Sequence, residues 1–185
     1  MFAACAALAL FGLGCSRSLE NRPKDVQVVI EGPGGFPLEM AGRWKADGPG
    51  WELVFAPDGR VLSAVLDFGQ VEVVPGRTTT IPTKSGGKGV FTPGAWTVHY
   101  LPATRQLTVR IVMAHVRVEM AGNAIEGAST DVFVGPVEGA AGVWETQWTT
   151  FTRYKARTAS RTSVDLSTEG LDGQTQPVTF RKTAD

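Results

Sequence analysis

The 185-residue chain lacks a surplus of charge of either sign, because its 18 basic residues are balanced by 18 acidic ones. Proteins that bind nucleic acids generally carry a basic surplus that neutralises phosphates, so no nucleic-acid partner is expected. The chain also lacks an apolar run of about 20 residues, the length that a membrane-spanning helix requires. Nucleic-acid binders and proteins with transmembrane helices are therefore disfavoured.

The short motifs of common enzyme classes are missing as well. The sequence has no G-x-S-x-G nucleophile elbow, no P-loop, no dinucleotide-binding glycine fingerprint and no H-E-x-x-H motif. His99 and His115 have no partner at metal-ligand spacing, and scattered acidic residues such as Asp67 and Asp131 are expected on solvated strand faces. We therefore predict no metal, no cofactor and no catalytic residue. A hydrolase stays open as an alternative, because carboxylates on separate strands can converge in space.

Cysteine is scarce, and both copies lie at the N-terminal end. Residues 2–14 form an uncharged apolar run that includes Cys5 and is followed by Cys15 and the polar residues 16–25. A run this short is typical of the apolar core of a secretory signal, which is removed from the mature chain. We therefore expect a signal peptide over 1–14 and a folded domain without disulfides.

The run Leu13-Gly14-Cys15 resembles the lipobox of bacterial lipoproteins, in which a small residue precedes a lipidated cysteine. The resemblance implies that lipid on Cys15 anchors the protein to a membrane, with residues 15–25 as a polar leash. It implies an exported protein at the bacterial cell envelope, and Ser16 after the cysteine favours the outer membrane. A secreted or periplasmic protein is the alternative. The absence of basic residues before the apolar run leaves open a true start upstream of the first residue.

The remainder of the chain has the periodicity of β-structure. From Val26 onward, apolar and polar residues alternate, and turn residues recur at short intervals. The segment 143–154 has aromatic residues at helical spacing, but its β-branched threonines favour a strand. We predict an all-β domain over 26–156 and a polar tail over 157–185, in which residues 177–182 are a candidate terminal strand. The favoured architecture is an antiparallel barrel of about eight to ten strands, and a sandwich is the second choice.

The run Gly42-Arg43-Trp44 resembles the G-x-W motif of lipocalin and calycin barrels. The resemblance implies that Gly42 and Trp44 close the base of a barrel. In that family an arginine of the last strand packs across the tryptophan, and Arg153 or Arg157 is expected to do so here.

The aromatic residues are the remaining functional signal. Two in-phase sets, Trp51 with Phe55 and Trp96 with Tyr100, are candidates to line a cavity for a small apolar or carbohydrate ligand. We therefore predict a membrane-anchored binding protein, which takes such a ligand or an envelope protein as its partner. The alternatives are a structural or protein-interaction domain, in which these rings fill a solid core, and an envelope glycan or lipid hydrolase.

Overall fold

The computed structural model of the chain describes residues 25–138, 142–158, 163–166 and 172–183. The predicted signal and lipidation at Cys15 lie outside the described residues. The described residues form thirteen strands and two short 3-10 turns, Leu38–Met40 and Phe68–Gln70, which confirms the all-β prediction. Within these ranges no helix is long and apolar enough to cross a membrane. The strands are β1 Val26–Ile30, β2 Gly42–Ala46, β3 Glu52–Phe55, β4 Val61–Leu66, β5 Val71–Val73, β6 Thr79–Pro82, β7 Lys88–Pro93, β8 Trp96–Leu101, β9 Gln106–Met120, β10 Asn123–Pro136, β11 Val143–Arg157, β12 Ser163–Asp165 and β13 Thr175–Lys182.

All thirteen strands belong to one sheet, whose main path runs β1-β8-β9-β10-β11-β13-β2-β3-β4-β5. Off this path, β7 pairs with β9 and β6, and β12 pairs with β11. Neighbouring strands are antiparallel, except that β1 and β8 are parallel. Segment 143–154, predicted as a strand rather than a helix, lies within β11. The terminal strand β13 lies inside the sheet, between β11 and β2.

Three long strands, β9, β10 and β11, connect the two ends of the molecule. Along one side, β9 pairs first with β8 and then with β7. In the same way, β11 pairs first with β13 and then with β12. The turn between β9 and β10 has Ala121 and Gly122 at positive φ, the backbone that a tight hairpin with right-handed twist requires.

A β-bulge divides β9 into two halves of opposite phase. Met113 pairs with Ser129 and Val116 pairs with Gly127, so β9 has one residue more than β10 across this interval. Before the bulge, odd-numbered residues up to Met113 are buried; after it, Val116 and Val118 are buried instead. The bulge therefore keeps apolar side chains inside over the full length of the strand.

The sheet is open within the described ranges, because its end strands β1 and β5 do not pair with each other. The closed barrel favoured by the sequence is therefore not formed by these strands. The sheet nevertheless curls around one core. Trp51, just before β3, contacts Phe133 of β10 with ring centroids 5.1 Å apart, and Phe36 contacts Tyr100 of β8 at 6.2 Å. The end strands also approach each other, since Val26 of β1 and Val74, directly after β5, line one surface cavity.

One end of the curled sheet is filled by aromatic rings. Trp144 and Phe180 are fully buried and stack with their centroids 5.3 Å apart. Phe133 contacts Phe180 at 5.4 Å, and Phe55 contacts Trp144 at 6.3 Å. We call these four residues and Trp44 the packed end. Because Phe180 comes from β13, the C-terminal segment contributes directly to the core.

The structure corrects the predicted partner of Trp44. Its Nε1 donates a hydrogen bond to the Met40 carbonyl at 2.8 Å, and Lys182 Nζ lies 6.0 Å from its ring centroid. Val143, at the start of β11, lies near Trp44, because it pairs with β13 beside Lys182. Arg153 lies ten residues further along β11. At about 3.3 Å per residue, this separation is roughly 30 Å along the strand. The expected packing of Arg153, or of the still more distant Arg157, on Trp44 is therefore not made, and both arginines are on the exposed face of β11.

Candidate ligand-binding cavity

The other end of the sheet encloses a cavity of about 400 Å³. Its walls are the second half of β9, the facing parts of β10 and β11, strand β7 and the turn Phe68–Gln70. We call this region the cavity end. The volume lies in the range of small-molecule sites, which is about 300 to 1,000 Å³. Aromatic residues make up much of the lining: Trp51, Phe68, Phe91, Trp148 and Tyr154.

Strand periodicity explains why one wall of the cavity is partly polar. Successive side chains of a strand point to opposite faces, so Trp148, Thr150, Thr152 and Tyr154 of β11 share the inner face. On β10, Asp131 pairs with Thr150, beside the pair formed by Phe133 and Trp148. The inner face therefore changes from aromatic to polar within two residues.

Three rings support the inner end of the cavity. Trp51 and Trp148 meet edge to face, with centroids 5.9 Å apart. Phe133 stacks on Trp148 at 6.1 Å and meets Trp51 edge to face at 5.1 Å. Because each ring contacts the other two, this part of the lining is fixed by packing and offers a preformed apolar surface.

Asp131 is the buried polar group of this wall. It is 5% exposed, and its Oδ1 accepts a hydrogen bond from Trp148 Nε1 at 3.0 Å. Burial raises the pKa of Asp131 to about 6, although hydrogen bonds with the side chains of Thr150, Trp148 and Ser129 act in the opposite direction. The carboxyl group therefore changes its charge near pH 6, inside a largely apolar cavity.

The charged side chains that line the cavity are both acidic. Asp67 lies at the wall with its Oδ1 accepting a hydrogen bond from the Gly50 amide at 2.6 Å, and its charge further raises the pKa of Asp131. Among the residues described by the structure, no lysine, arginine or histidine lines the cavity, and none forms an ion pair with Asp131. Burial also raises the pKa of the Tyr154 phenol, so this side chain stays neutral at ordinary pH. The cavity thus holds a buried carboxyl group without a protein cation beside it.

The indole Nε1 groups of Trp148 and Trp51 differ in their hydrogen bonding. Trp148 Nε1 is paired with Asp131, whereas buried Trp51 Nε1 has no hydrogen-bond partner within the described part of the chain. Trp51 is therefore held in the lining by its ring contacts and not by a hydrogen bond from Nε1.

The structure distributes the four predicted ligand-binding residues between two regions. Trp51 lines the cavity. Phe55 is part of the packed end, Tyr100 contacts Phe36, and Trp96 is fully buried with its Nε1 donating to the Val112 carbonyl at 3.0 Å. The structure therefore brings only Trp51 to the cavity, and the other three pack in the core.

Asp131 was missed because it was expected on a solvated strand face. The structure corrects this expectation, since Asp131 is buried. The signal in the sequence is the alternation of side chains along the strand. Asp131 precedes the apolar Phe133 by two residues, which puts both side chains on the same face.

No group of three or more His, Cys, Asp or Glu side chains that could hold a metal ion occurs among the described residues. Comparisons of the chain with protein-family models, with curated proteins and with solved structures gave no match.

Proposed function

We propose that this protein binds a small, largely apolar ligand in the cavity lined by Trp51 and Trp148. The observation that carries the proposal is a cavity of about 400 Å³ whose aromatic lining surrounds a single deeply buried carboxyl group. Small-molecule sites generally combine apolar walls with a few polar groups that orient the ligand. Asp131 is the orienting group in this proposal.

The curvature of the sheet supports a barrel-like site. The core is continuous across the curl, and the end strands β1 and β5 approach without pairing in the described residues. Lys182, from the last described strand, is the cation that lies over Trp44. We propose a barrel-like domain that is incomplete between β5 and β1, with its binding site at the end remote from Trp44.

We further propose that the protein acts outside the cytoplasm, anchored by lipid on Cys15. The support is the apolar run that ends at Leu13-Gly14-Cys15, together with the absence of cysteine from residue 16 onward. A Cys15→Ser variant is expected to lose most of its membrane association in cell fractionation. Full retention in the membrane fraction contradicts lipid anchoring.

Binding is tested with the full chain and the neutral fluorescent probe N-phenyl-1-naphthylamine. We expect a saturable rise in probe fluorescence, with energy transfer from tryptophan, at one site per chain. The variant Thr152→Trp introduces a large side chain into the cavity and should abolish this signal. Gln147→Trp, on the exposed face of the same strand, is the matched control and should retain it.

Each outcome of this titration bears on the proposal. Binding that is absent, or equal in Thr152→Trp and Gln147→Trp, overturns the assignment of the cavity and favours a structural or protein-docking domain. Where binding is present, displacement of the probe by decanol indicates an apolar ligand. Displacement by cellotriose indicates a carbohydrate.

A second candidate function is hydrolysis of an envelope glycan or lipid. The observation that favours it is that Asp67 and Asp131 line one cavity and that the pKa of Asp131 is raised to about 6, as a general acid near neutral pH requires. The test is release of nitrophenol from 4-nitrophenyl glycosides and esters. Turnover that disappears in Asp131→Asn supports catalysis, and no turnover with any of these substrates argues against it.

A further inference from the structure

We propose that the cavity is selective for an organic cation, with an apolar body in contact with Trp51 and Trp148 and an ammonium group paired with Asp131. This inference rests on the proposed function, because it names the class of ligand for the same cavity. It follows from three features of the described residues: the sign of the charges, the hydrogen bonds to Asp131 and the nature of the walls.

The charges of the lining favour a cationic ligand. Asp131 and Asp67 are both acidic, and the described lining contains no basic side chain. A buried carboxylate without a cationic partner is costly, because the protein environment replaces its hydration only in part. An ammonium group in the cavity would supply the missing partner. A carboxylic acid would bring a third negative charge and would be disfavoured.

The hydrogen bonds to Asp131 favour its ionised form. Trp148 Nε1 donates to Oδ1 at 3.0 Å, and the side chains of Ser129 and Thr150 also form hydrogen bonds that lower the pKa. Donors of this kind hold a carboxylate in position more strongly than a neutral acid. The site is therefore built to present a negative charge to the cavity, although burial opposes it.

The aromatic walls complement the same ligand. Trp51, Trp148, Phe91 and Tyr154 line the cavity, and aromatic faces attract ammonium groups through the ring quadrupole. The rings also provide apolar surface for the remainder of the ligand. A cation that carries an apolar body can satisfy both the walls and Asp131, whereas a neutral hydrocarbon satisfies only the walls.

The test uses three probes with the same apolar body: 4-phenylbutylamine, 4-phenyl-1-butanol and 4-phenylbutyric acid. Their Kd values for the full chain are measured at about pH 7 by calorimetry or by displacement of N-phenyl-1-naphthylamine. We expect the amine to bind at least about tenfold more tightly than the alcohol, and the acid to bind most weakly. In Asp131→Asn the amine and the alcohol should bind with similar Kd values. Glu145→Gln, on the exposed face of β11, is the control and should keep the preference.

A pH series on the unaltered protein gives a second readout, which does not depend on folding of the variant. Affinity for the amine should fall about tenfold between pH 7 and pH 5, because the pKa of Asp131 is about 6. The other ionisable groups of the lining are Asp67 and Tyr154, and the phenol of Tyr154 stays neutral over this range. Affinity for the alcohol should change little.

The outcomes separate the two proposals. If the alcohol binds and the amine binds no better, the cation inference is wrong while the binding cavity stands. If an amine preference persists in Asp131→Asn and is unchanged at pH 5, Asp131 is not the partner and the inference is overturned. If none of the three probes binds and N-phenyl-1-naphthylamine does not bind either, both proposals fail.

Discussion

The packed end and the cavity end are built on the same long strands, but they bury different chemistry. At the packed end, Trp144, Phe133 and Phe180 are fully buried, and the ring of Phe180 contacts both of the others. At the cavity end, the same inner face of β10 and β11 carries Asp131 and Thr150, which line the cavity. The packed end therefore supplies stability, whereas the cavity end retains a costly charge beside a cavity. Local departures of this kind from the rules of core packing are expected at functional sites.

The largest expected effect comes from removing a ring at the packed end. Phe180→Ala deletes a fully buried side chain that contacts both Trp144 and Phe133. The expected loss in free energy of unfolding is about 3 to 5 kcal/mol, because a cavity replaces the ring. Chemical denaturation monitored by tryptophan fluorescence measures it. A loss below about 1 kcal/mol would show that this end is not the stable part of the molecule.

A substitution at the cavity end is expected to act in the opposite direction. Asp131→Asn keeps the shape of the side chain and removes the buried charge. At pH 7 this change should stabilise the fold by at most about 3 kcal/mol, since the pKa of Asp131 is raised from 3.8 to about 6. Denaturation at several pH values checks it, with Glu145→Gln as the surface control. Destabilisation by Asp131→Asn would mean that the charge supports the fold, and it would contradict the contrast drawn between the packed end and the cavity end.

The difference in free energy of unfolding between Asp131→Asn and the unaltered protein should depend on pH in a defined direction. Burial raises the pKa of Asp131 in the folded state, so the ionised form is disfavoured there, and its cost is fully present above about pH 6. As the pH falls from 6 towards 4, the folded state binds a proton more readily than the unfolded state, and the cost disappears. The advantage of Asp131→Asn should therefore shrink over this range. An advantage that stays constant down to pH 4 would assign the effect to something other than ionisation.

The smallest expected effect concerns the cation at the packed end. Lys182→Met keeps the apolar stem near Trp44 but removes the ammonium group, which lies 6.0 Å from the ring centroid and donates to the Glu39 carbonyl at 2.9 Å. We expect a loss of about 0.5 to 1 kcal/mol. Thermal unfolding of this variant beside Lys88→Met, whose exposed side chain lies on β7, measures it. Equal stability of the two variants would show that Lys182 has no special role at Trp44.

Sequence reasoning predicted what depends on local pattern. Alternation identified the strands, including β11, and the β-branched threonines correctly outweighed the helical spacing of its aromatic residues. The pattern did not reveal which strands meet. Lys182 faces Trp44 because β13 pairs with β2, a contact between residues far apart in the chain. The same limit hid the difference between Trp51, which lines the cavity, and Trp96, which packs in the core.

The cavity itself could not be predicted, because its volume depends on how several strands curve around it. Its polar group was within reach of the sequence. Asp131 stands in phase with Phe133, and that phase already implied burial. The prediction failed because acidic residues were assigned to solvent by type rather than by their phase in the strand.

The bulge in β9 controls which side chains face the cavity. Beyond Met113 the strand carries an extra residue opposite β10, and as a result Val116 lines the cavity while Arg117 pairs with Glu126 on the other face. If the strand continued beyond Met113 in regular alternation, without the bulge, the same sequence would turn over, since side chains alternate with a period of two. Arg117 would then point towards the cavity and would offset one of its two acidic charges. The irregularity of the backbone, as well as the choice of lining residues, therefore decides which charges face the interior.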